Sequence, residues 1–472
     1  MQALKKTRLG LTLPLTLPLA LALAFPLTAQ AQTTQDLKAE LDALKAHVKK
    51  LEAMIEKQAA AEKPAPAGEQ VEAAEFNRIR VKTEGLEDAI EANGFKGLKI
   101  SGYLDPAYIY NRNSRTSSFV FLNNNSPVNG STESFGYDNT YFGSALLNID
   151  KEIEGGSRFR ISLMPSKGTA SGYNFGNLVH EASMSIPLGE PTTRLIAGQI
   201  PDWSGYEMIA SNQNKLITHN LLFDFSAPNF YTGVGLEVTS GKWIMKGMLG
   251  NLNRSRIDTA QQRTPGLFYR VDYAKGEFNG FGFAGVHSGF DDKTQFGRLD
   301  IIEVDGYFIR ADLTLQGQLT YGRQKSTPGN GFNGSTSWYG LSGLAAYKLT
   351  QRLEGIARFD YINNNRRGGG LLGSTFGGVC KDLNGIDANC PDGRNGFGSS
   401  MVFDGTTWLV EDPSRGSNRY AFSLGLNYAL MPGVNLKGEY RYDRSSGSVF
   451  QNAVGDYLRD NHVLGFSTVI SF

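Results

Sequence analysis

Cysteine, histidine and long apolar runs are scarce in this chain, and each scarcity closes off a class of function. Only Cys380 and Cys390 occur among 472 residues, ten apart in one Gly/Asn/Asp-rich stretch. A disulfide-dense scaffold or a multi-cysteine metal site is thereby excluded. In an oxidising compartment the pair reads as one local disulfide, with two free thiols as the alternative. The five histidines, His47, His180, His219, His287 and His462, sit beside no Ser or carboxylate in the setting that an activated nucleophile requires, so the chain reads as a non-enzyme with no cofactor. After Ala31 no apolar run approaches the roughly 20 residues of a spanning helix, and mean hydropathy is −0.29. Any membrane passage must therefore be made of strands. Lys plus Arg number 47 against 46 Asp plus Glu, a balance without the basic excess that marks a nucleic-acid binder.

What is present begins with an export signal. Lys5, Lys6 and Arg8 precede the apolar run Leu9 to Leu27, and Ala29-Gln30-Ala31 supplies the small-x-small pattern of a cleavage site. Residues 1–31 therefore read as a signal peptide; Pro14, Pro18 and Pro26 argue against the alternative of an uncleaved anchor. Removing the three basic residues lowers the net charge from +1 to −2. Leu37, Leu41, Leu44, Val48, Leu51 and Ile55 then recur at alternating spacings of four and three, which predicts a coiled coil over 32–57. An amphipathic helix lying on another surface is the competing reading. Pro64 and Pro66 mark a linker, and Phe76, Ile79, Leu86 and Ile90 suggest a short amphipathic helix before Gly94, so 58–96 joins the coiled coil to the rest. That helix either packs at the mouth of the strand-rich region beyond it or is a solvated connector.

From 97 to 472 the pattern changes to period two. Leu353, Ala357, Phe359 and Tyr361 alternate with Glu354, Arg358 and Asp360; Leu436, Tyr440 and Tyr442 alternate with Lys437, Glu439 and Arg441. Phe159 and Ile161 likewise oppose Arg158 and Arg160, and Tyr269, Val271 and Tyr273 oppose Arg270 and Asp272. Such strands have one apolar and one charged face, a property shared by soluble sheets with a wet side. Connection lengths separate the two cases. Strands read at 98–110, 140–152, 157–164, 179–187, 193–199, 232–239, 242–251, 266–274, 279–289, 302–313, 315–324, 337–348, 352–362, 419–430, 434–444 and 460–472 are joined by short and long connections in strict alternation. Tight turns at one rim and long loops at the other are the mark of an antiparallel transmembrane β-barrel of about 16 strands. The 56 Gly, 20 Tyr and 28 Phe suit tight turns and aromatic belts. The last strand carries Leu464, Phe466, Thr468, Ile470 and Phe472 on one side, as a strand closing such a barrel against the first would.

A barrel of that width cannot be filled by its own side chains, so its charged face would line water. Arg158, Arg160, Lys242, Lys246, Arg270, Arg358, Glu354, Lys437 and Arg441 are the candidate channel-lining residues, with ordinary solvated wall as the competing role. Connection 200–231 is rich in residues that need burial, Trp203, Tyr206, Met208, Leu222, Phe223 and Phe225. Folded into the lumen it would narrow the channel and set Asp202, Glu207, Lys215, His219 and Asp224 against the basic wall; packing at a subunit interface is the alternative. Asp382, Asn384, Asp387 and Asn389 offer the oxygen ligands that Ca²⁺ takes, but no Glu stands at a fixed end position and no metal is assigned.

This arrangement resembles the sixteen-stranded general and substrate-selective porins of Gram-negative bacteria, and the leading coiled coil resembles the periplasmic extension of some members. Gly94-Phe95-Lys96-Gly97-Leu98-Lys99-Ile100-Ser101-Gly102-Tyr103-Leu104-Asp105-Pro106 and the Gly198-Gln199 segment before 200–231 are similar to porins of undefined substrate in proteobacteria. The resemblance implies an outer-membrane homotrimer set in lipid and lipopolysaccharide, passing ions and small hydrophilic solutes, with its amino-terminal segment in the periplasm and in contact with the cell wall. A barrel that only anchors such a tether is the rival. Neither a dense Arg ladder within one loop nor an aromatic slide is present, so no solute follows.

Overall fold

The computed structural model describes residues 76, 78–83, 94–122, 143–165, 178–227, 230–253, 265–276, 278–288, 296–326, 335–366, 379–391, 393 and 396–472. The expected signal peptide and coiled coil lie outside these residues. Two units divide at Ala89/Ile90. In the first, Phe76 and residues 78–83 are helical, with Phe76, Ile79 and Val81 exposed. No described helix is long and apolar enough to cross a membrane.

The second unit is a closed antiparallel barrel of sixteen strands. Strand β1 has two pieces, Leu98–Leu104 and Ala107–Asn111, and β2 also has two, Thr116–Val120 and Ala145–Glu152. Then come β3 (Arg158–Leu163), β4 (Val179–Leu188), β5 (Glu190–Pro201), β6 (Phe230–Ser240), β7 (Trp243–Asn253), β8 (Gly266–Gly276) and β9 (Asn279–Ser288). The wall is completed by β10 (Phe296–Arg310), β11 (Leu313–Ser326), β12 (Ser335–Lys348), β13 (Leu353–Arg366), β14 (Arg419–Met431), β15 (Val434–Ser445) and β16 (Asp460–Ser471). Each pairs with the next, and β16 returns to β1 through Tyr103↔Ser471 and Ala107↔Ser467. Phe472 completes the seam: its N–H and C=O bond to the C=O and N–H of Gly102 at 3.1 and 3.0 Å. Closure pairs the first strand with the last, so the sheet has no free terminal strand.

Strand β1 breaks where Pro106 has no N–H to give. There Asp105 turns inward, buried, and accepts the Ser467 hydroxyl. The break also explains Thr116–Val120, a piece absent from the sequence reading: it pairs with the upper part of β1, whereas Ala145–Glu152 pairs with the lower part. One expected strand is corrected. Strand ten, expected at 302–313, runs Phe296–Arg310, because the chain reverses at Ala311-Asp312. Ala311 adopts φ 50°, a left-handed turn position for which alanine gives no signal. At the Met431-Pro432-Gly433 reversal, Gly433 takes φ 78° and the usual turn chemistry was readable.

Side-chain direction follows the alternation. Leu341, Phe359, Phe422 and Leu424 point outward and are exposed. They lie between two aromatic rows: Trp243, Tyr273 and Phe281 near the short-turn rim, with ring centroids 4.7–6.2 Å apart, and Tyr339, Tyr361 and Tyr420 toward the long-loop rim, at 4.9–6.4 Å. The buried set, polar and apolar, faces inward.

Candidate functional site

Between Pro201 and Phe230 the chain leaves the rim and enters the barrel. Burial drives this. Leu221, Leu222 and Phe225 join a cluster with Met248 on β7, Phe268 on β8, Val286 on β9, Ile301 on β10, Trp338 on β12 and Ile362 on β13. Leu216 packs with Leu344, Ala346 and Ile356, and Ile217 with Ile109 and Val463. Partners on β1 and on β7 through β16 surround a segment only from within. Of the apolar residues that made 200–231 unusual for an external loop, Leu222 and Phe225 are buried and Trp203, Tyr206 and Phe223 partly so, whereas Met208 stays exposed. A five-residue helix, α1 (Leu221–Phe225), is capped by Asn220, whose side chain accepts the Phe223 N–H at 2.8 Å.

Burying charge is costly unless each group is paired and hydrogen-bonded, and here they are. Arg358 on β13, fully buried, pairs with Glu207 at 2.8 Å and Asp360 at 3.1 Å and donates to the carbonyls of Thr218 at 2.7 Å and His219 at 2.9 Å. Arg441 on β15 donates to His219 O at 2.7 Å and pairs with Asp443. Glu439, from the same face, accepts the backbone N–H groups of Ile217 and Thr218, both at 2.8 Å. Lys437 donates to the carbonyls of Ser211 and Asn214 at 2.7 and 2.6 Å. Lys215 pairs with Glu354 at 2.7 Å, and Arg270 donates to Trp203 O at 2.8 Å while pairing with Asp305 and Asp272. The wall thus holds the loop mainly by its carbonyls and amides.

Of the residues singled out in the sequence, Arg270, Arg358, Glu354, Lys437 and Arg441 meet the loop, and Glu207, Lys215 and His219 meet the wall. Asp202 accepts the hydroxyls of Tyr231 and Ser204 and is pushed up to about 6 by burial. Asp224 is buried within α1. His219 is lowered to about 3 by burial, its Nε2 2.8 Å from Met208 O and its ring stacked on Phe223. Glu207 and Asp202 therefore touch the wall rather than face it across water; the loop's exposed positions are Met208, Asn212 and Gln213. Arg158, Arg160 and Lys246 do not meet the loop but pair with Glu152, Asp150 and Glu237 on adjoining strands. Lys242 occupies a short turn and donates to Lys275 O at 3.0 Å.

Residues the sequence reading missed include Arg419, which is buried, pairs with Asp443 at 2.7 Å and stacks over Phe397 and Phe450. Asp443 shares the period-two face of Lys437, Glu439 and Arg441, a usable signal; Phe397 lies in a loop and gave none. Phe397 belongs to the long connection before β14 and packs on Phe225 of α1 at 4.3 Å. Nearby, the paired segments Val379–Lys381/Asp387–Asn389, Met401–Phe403/Trp408–Val410 and Phe450–Gln451/Tyr457–Leu458 form a small cap with its own cluster, Met401, Val410 and Tyr457. Cys380 and Cys390 form the expected disulfide within it, Cα atoms 5.1 Å apart. Among the oxygen donors weighed for Ca²⁺, Asp382 accepts the N–H groups of Asn384 and Ile386, an Asx turn. Among the described residues no cluster of three or more His, Cys, Asp or Glu could hold a metal.

A family model described as "Protein of unknown function (DUF3138)" matches residues 67–265 and 278–472. The chain belongs to the DUF3138 family. The DUF3138 match takes in the wall and the inward loop alike. No curated protein matches the chain. Among solved structures, the anion-selective porin from Comamonas acidovorans is similar at 11% identity and a TM-score of 0.48, covering 79% of this chain and 99% of that one. OmpT, an outer membrane protein of Vibrio cholerae in its trimer form, gives 9%, 0.48, 79% and 99%. The outer membrane channel DcaP of Acinetobacter baumannii gives 9%, 0.47, 79% and 97%. All three likenesses fall below a TM-score of 0.5, too distant to bear on function.

Proposed function

We propose that the chain is an outer-membrane porin, a water-filled barrel for passive diffusion of ions and small hydrophilic solutes, with segment 202–227 narrowing the lumen. The observation that carries this is a closed sixteen-strand wall, apolar outside and charged inside, with a loop packed against its inner face. Tyr339 to Tyr347 and Tyr420 to Tyr428 each step eight residues along an outward face, about 27 Å at the usual strand rise. With strands tilted near 40°, that is about 20 Å between aromatic belts, close to the height of an outer-membrane apolar band. The short-turn rim then faces the periplasm, where the amino-terminal segment and its expected coiled coil would lie, within reach of the cell wall. The outer belt would meet lipid and lipopolysaccharide. Assembly as a homotrimer and the absence of catalysis belong to the same reading.

The test is planar-bilayer conductance of the refolded mature protein, with reversal potential across a salt gradient. Steps in the nanosiemens range are expected. A heat-modifiable, correctly folded barrel that gives none would overturn the channel and leave the anchoring role.

A further inference from the structure

Toward the short-turn rim, away from the inward loop, the wall carries a cleft of about 320 Å³ on β1 to β4. Its charges alternate from strand to strand. Lys99 on β1 stands opposite Asp150 on β2, Asp150 opposite Arg160 on β3, and Glu181 on β4 one step above this row, opposite Ser162. The two central groups neutralise each other, Arg160 Nε lying 2.6 Å from Asp150. Arg158 and Glu152, below them, are also paired, at 3.1 Å. The two outer groups have no ion pair within 4.0 Å among the described residues: Lys99 is exposed, and Glu181 accepts only the Ser183 hydroxyl. The cleft therefore has an ammonium at one side and a carboxylate at the other that no direct ion pair satisfies, Arg160 and Lys246 acting on Glu181 only from farther off.

Resting on the porin reading, we infer that this cleft binds a short zwitterionic peptide, its carboxylate toward Lys99 and its ammonium toward Glu181. Three strand spacings separate β1 from β4, about 14 Å across the wall, and the step of Glu181 along its strand lengthens the separation to about 16 Å. Allowing about 3 Å for each charge-assisted contact, the ligand's own charges should lie about 10 Å apart. An extended residue spans about 3.5 Å, so a tripeptide fits, whereas a single amino acid reaches only one of the two groups. A simple anion or cation satisfies one end and is repelled by the other.

The test is block of the single-channel current of the full mature protein by triglycine, with N-acetyl-triglycine amide as the uncharged control of similar size. Triglycine should reduce the current at concentrations where the capped peptide does not. Lys99→Gln and Glu181→Gln should each raise the half-blocking concentration about two- to fivefold, the size of one exposed ion contact, and the exchange Lys99→Glu with Glu181→Lys should restore block in the opposite orientation. The wild-type comparison stands even where a variant does not insert. Equal block by the two peptides, or none, from a conducting channel would overturn the peptide cleft and leave the porin intact. Absence of conductance would remove both.

Discussion

Two patches of the same wall, built from the same alternating pattern, meet opposite fates. On β13 and β15, Arg358 and Arg441 have fully buried side chains because the loop covers them; on β3, Arg158 and Arg160 keep 61% and 48% of theirs exposed. Each of the four is ion-paired. What differs is the dielectric surrounding the pair: beneath the loop a charge cannot recover water if its partner is lost, whereas on the open wall it can. An identical residue type in an identical pattern therefore serves as an anchor in one place and as a solvated wall in the other.

The largest contrast should come from Arg358→Ala. It strands Glu207 and Asp360, and breaking a buried pair costs about 3–5 kcal/mol. The loop should detach, giving larger and noisier conductance steps and new protease cleavage within 202–227. Unchanged conductance would show that the loop does not limit flow. Replacing Cys380 and Cys390 by Ser should loosen the cap by about 3 kcal/mol, the loop-closure value for this spacing. Cleavage near 379–391 should increase while the heat-modifiable barrel persists, because the disulfide is confined to the cap.

His219 gives the next contrast. Its unfolded value is near 6.5 and its folded value about 3. The undocked loop therefore binds the proton first, and its stabilising term, complete above pH 6.5, is lost as pH falls toward 3. At pH 5 this is about 2 kcal/mol. Acid should raise conductance noise in the parent more than in His219→Gln, and equal pH profiles would assign the response to other groups. Smallest in stability is Arg158→Ala, expected to cost less than about 1 kcal/mol. Its signature is a reversal potential shifted toward cations with unchanged heat-modifiability. A loss of folding there would mean that the open patch is as buried as the covered one.

Much of the barrel was legible because period-two alternation and turn spacing are local properties. Leu353 to Tyr361 announces both its faces within nine residues, and the Met431-Pro432-Gly433 turn is written in its own chemistry. The reading failed where no local signal existed, at Ala311-Asp312 and at Thr116–Val120, whose strand character comes from pairing with Ala107–Asn111. The loop's apolar content disclosed that most of it must be buried, but not that Glu207 and Asp202 would be spent on wall contacts. Glu207 meets Arg358 across 151 positions of sequence, and Phe225 meets Phe397 across a still longer separation.

By itself the sequence determined the closed sheet, its inward and outward faces, and the cysteine pair able to staple the cap, since each rests on periodicity or on neighbours close along the chain. Only the tertiary structure decided which charges lie beneath the loop and which remain in water. That choice depends on where one inserted segment finds enough apolar wall to bury Leu221, Leu222 and Phe225, and contacts between residues so distant in sequence are set by closure of the whole barrel.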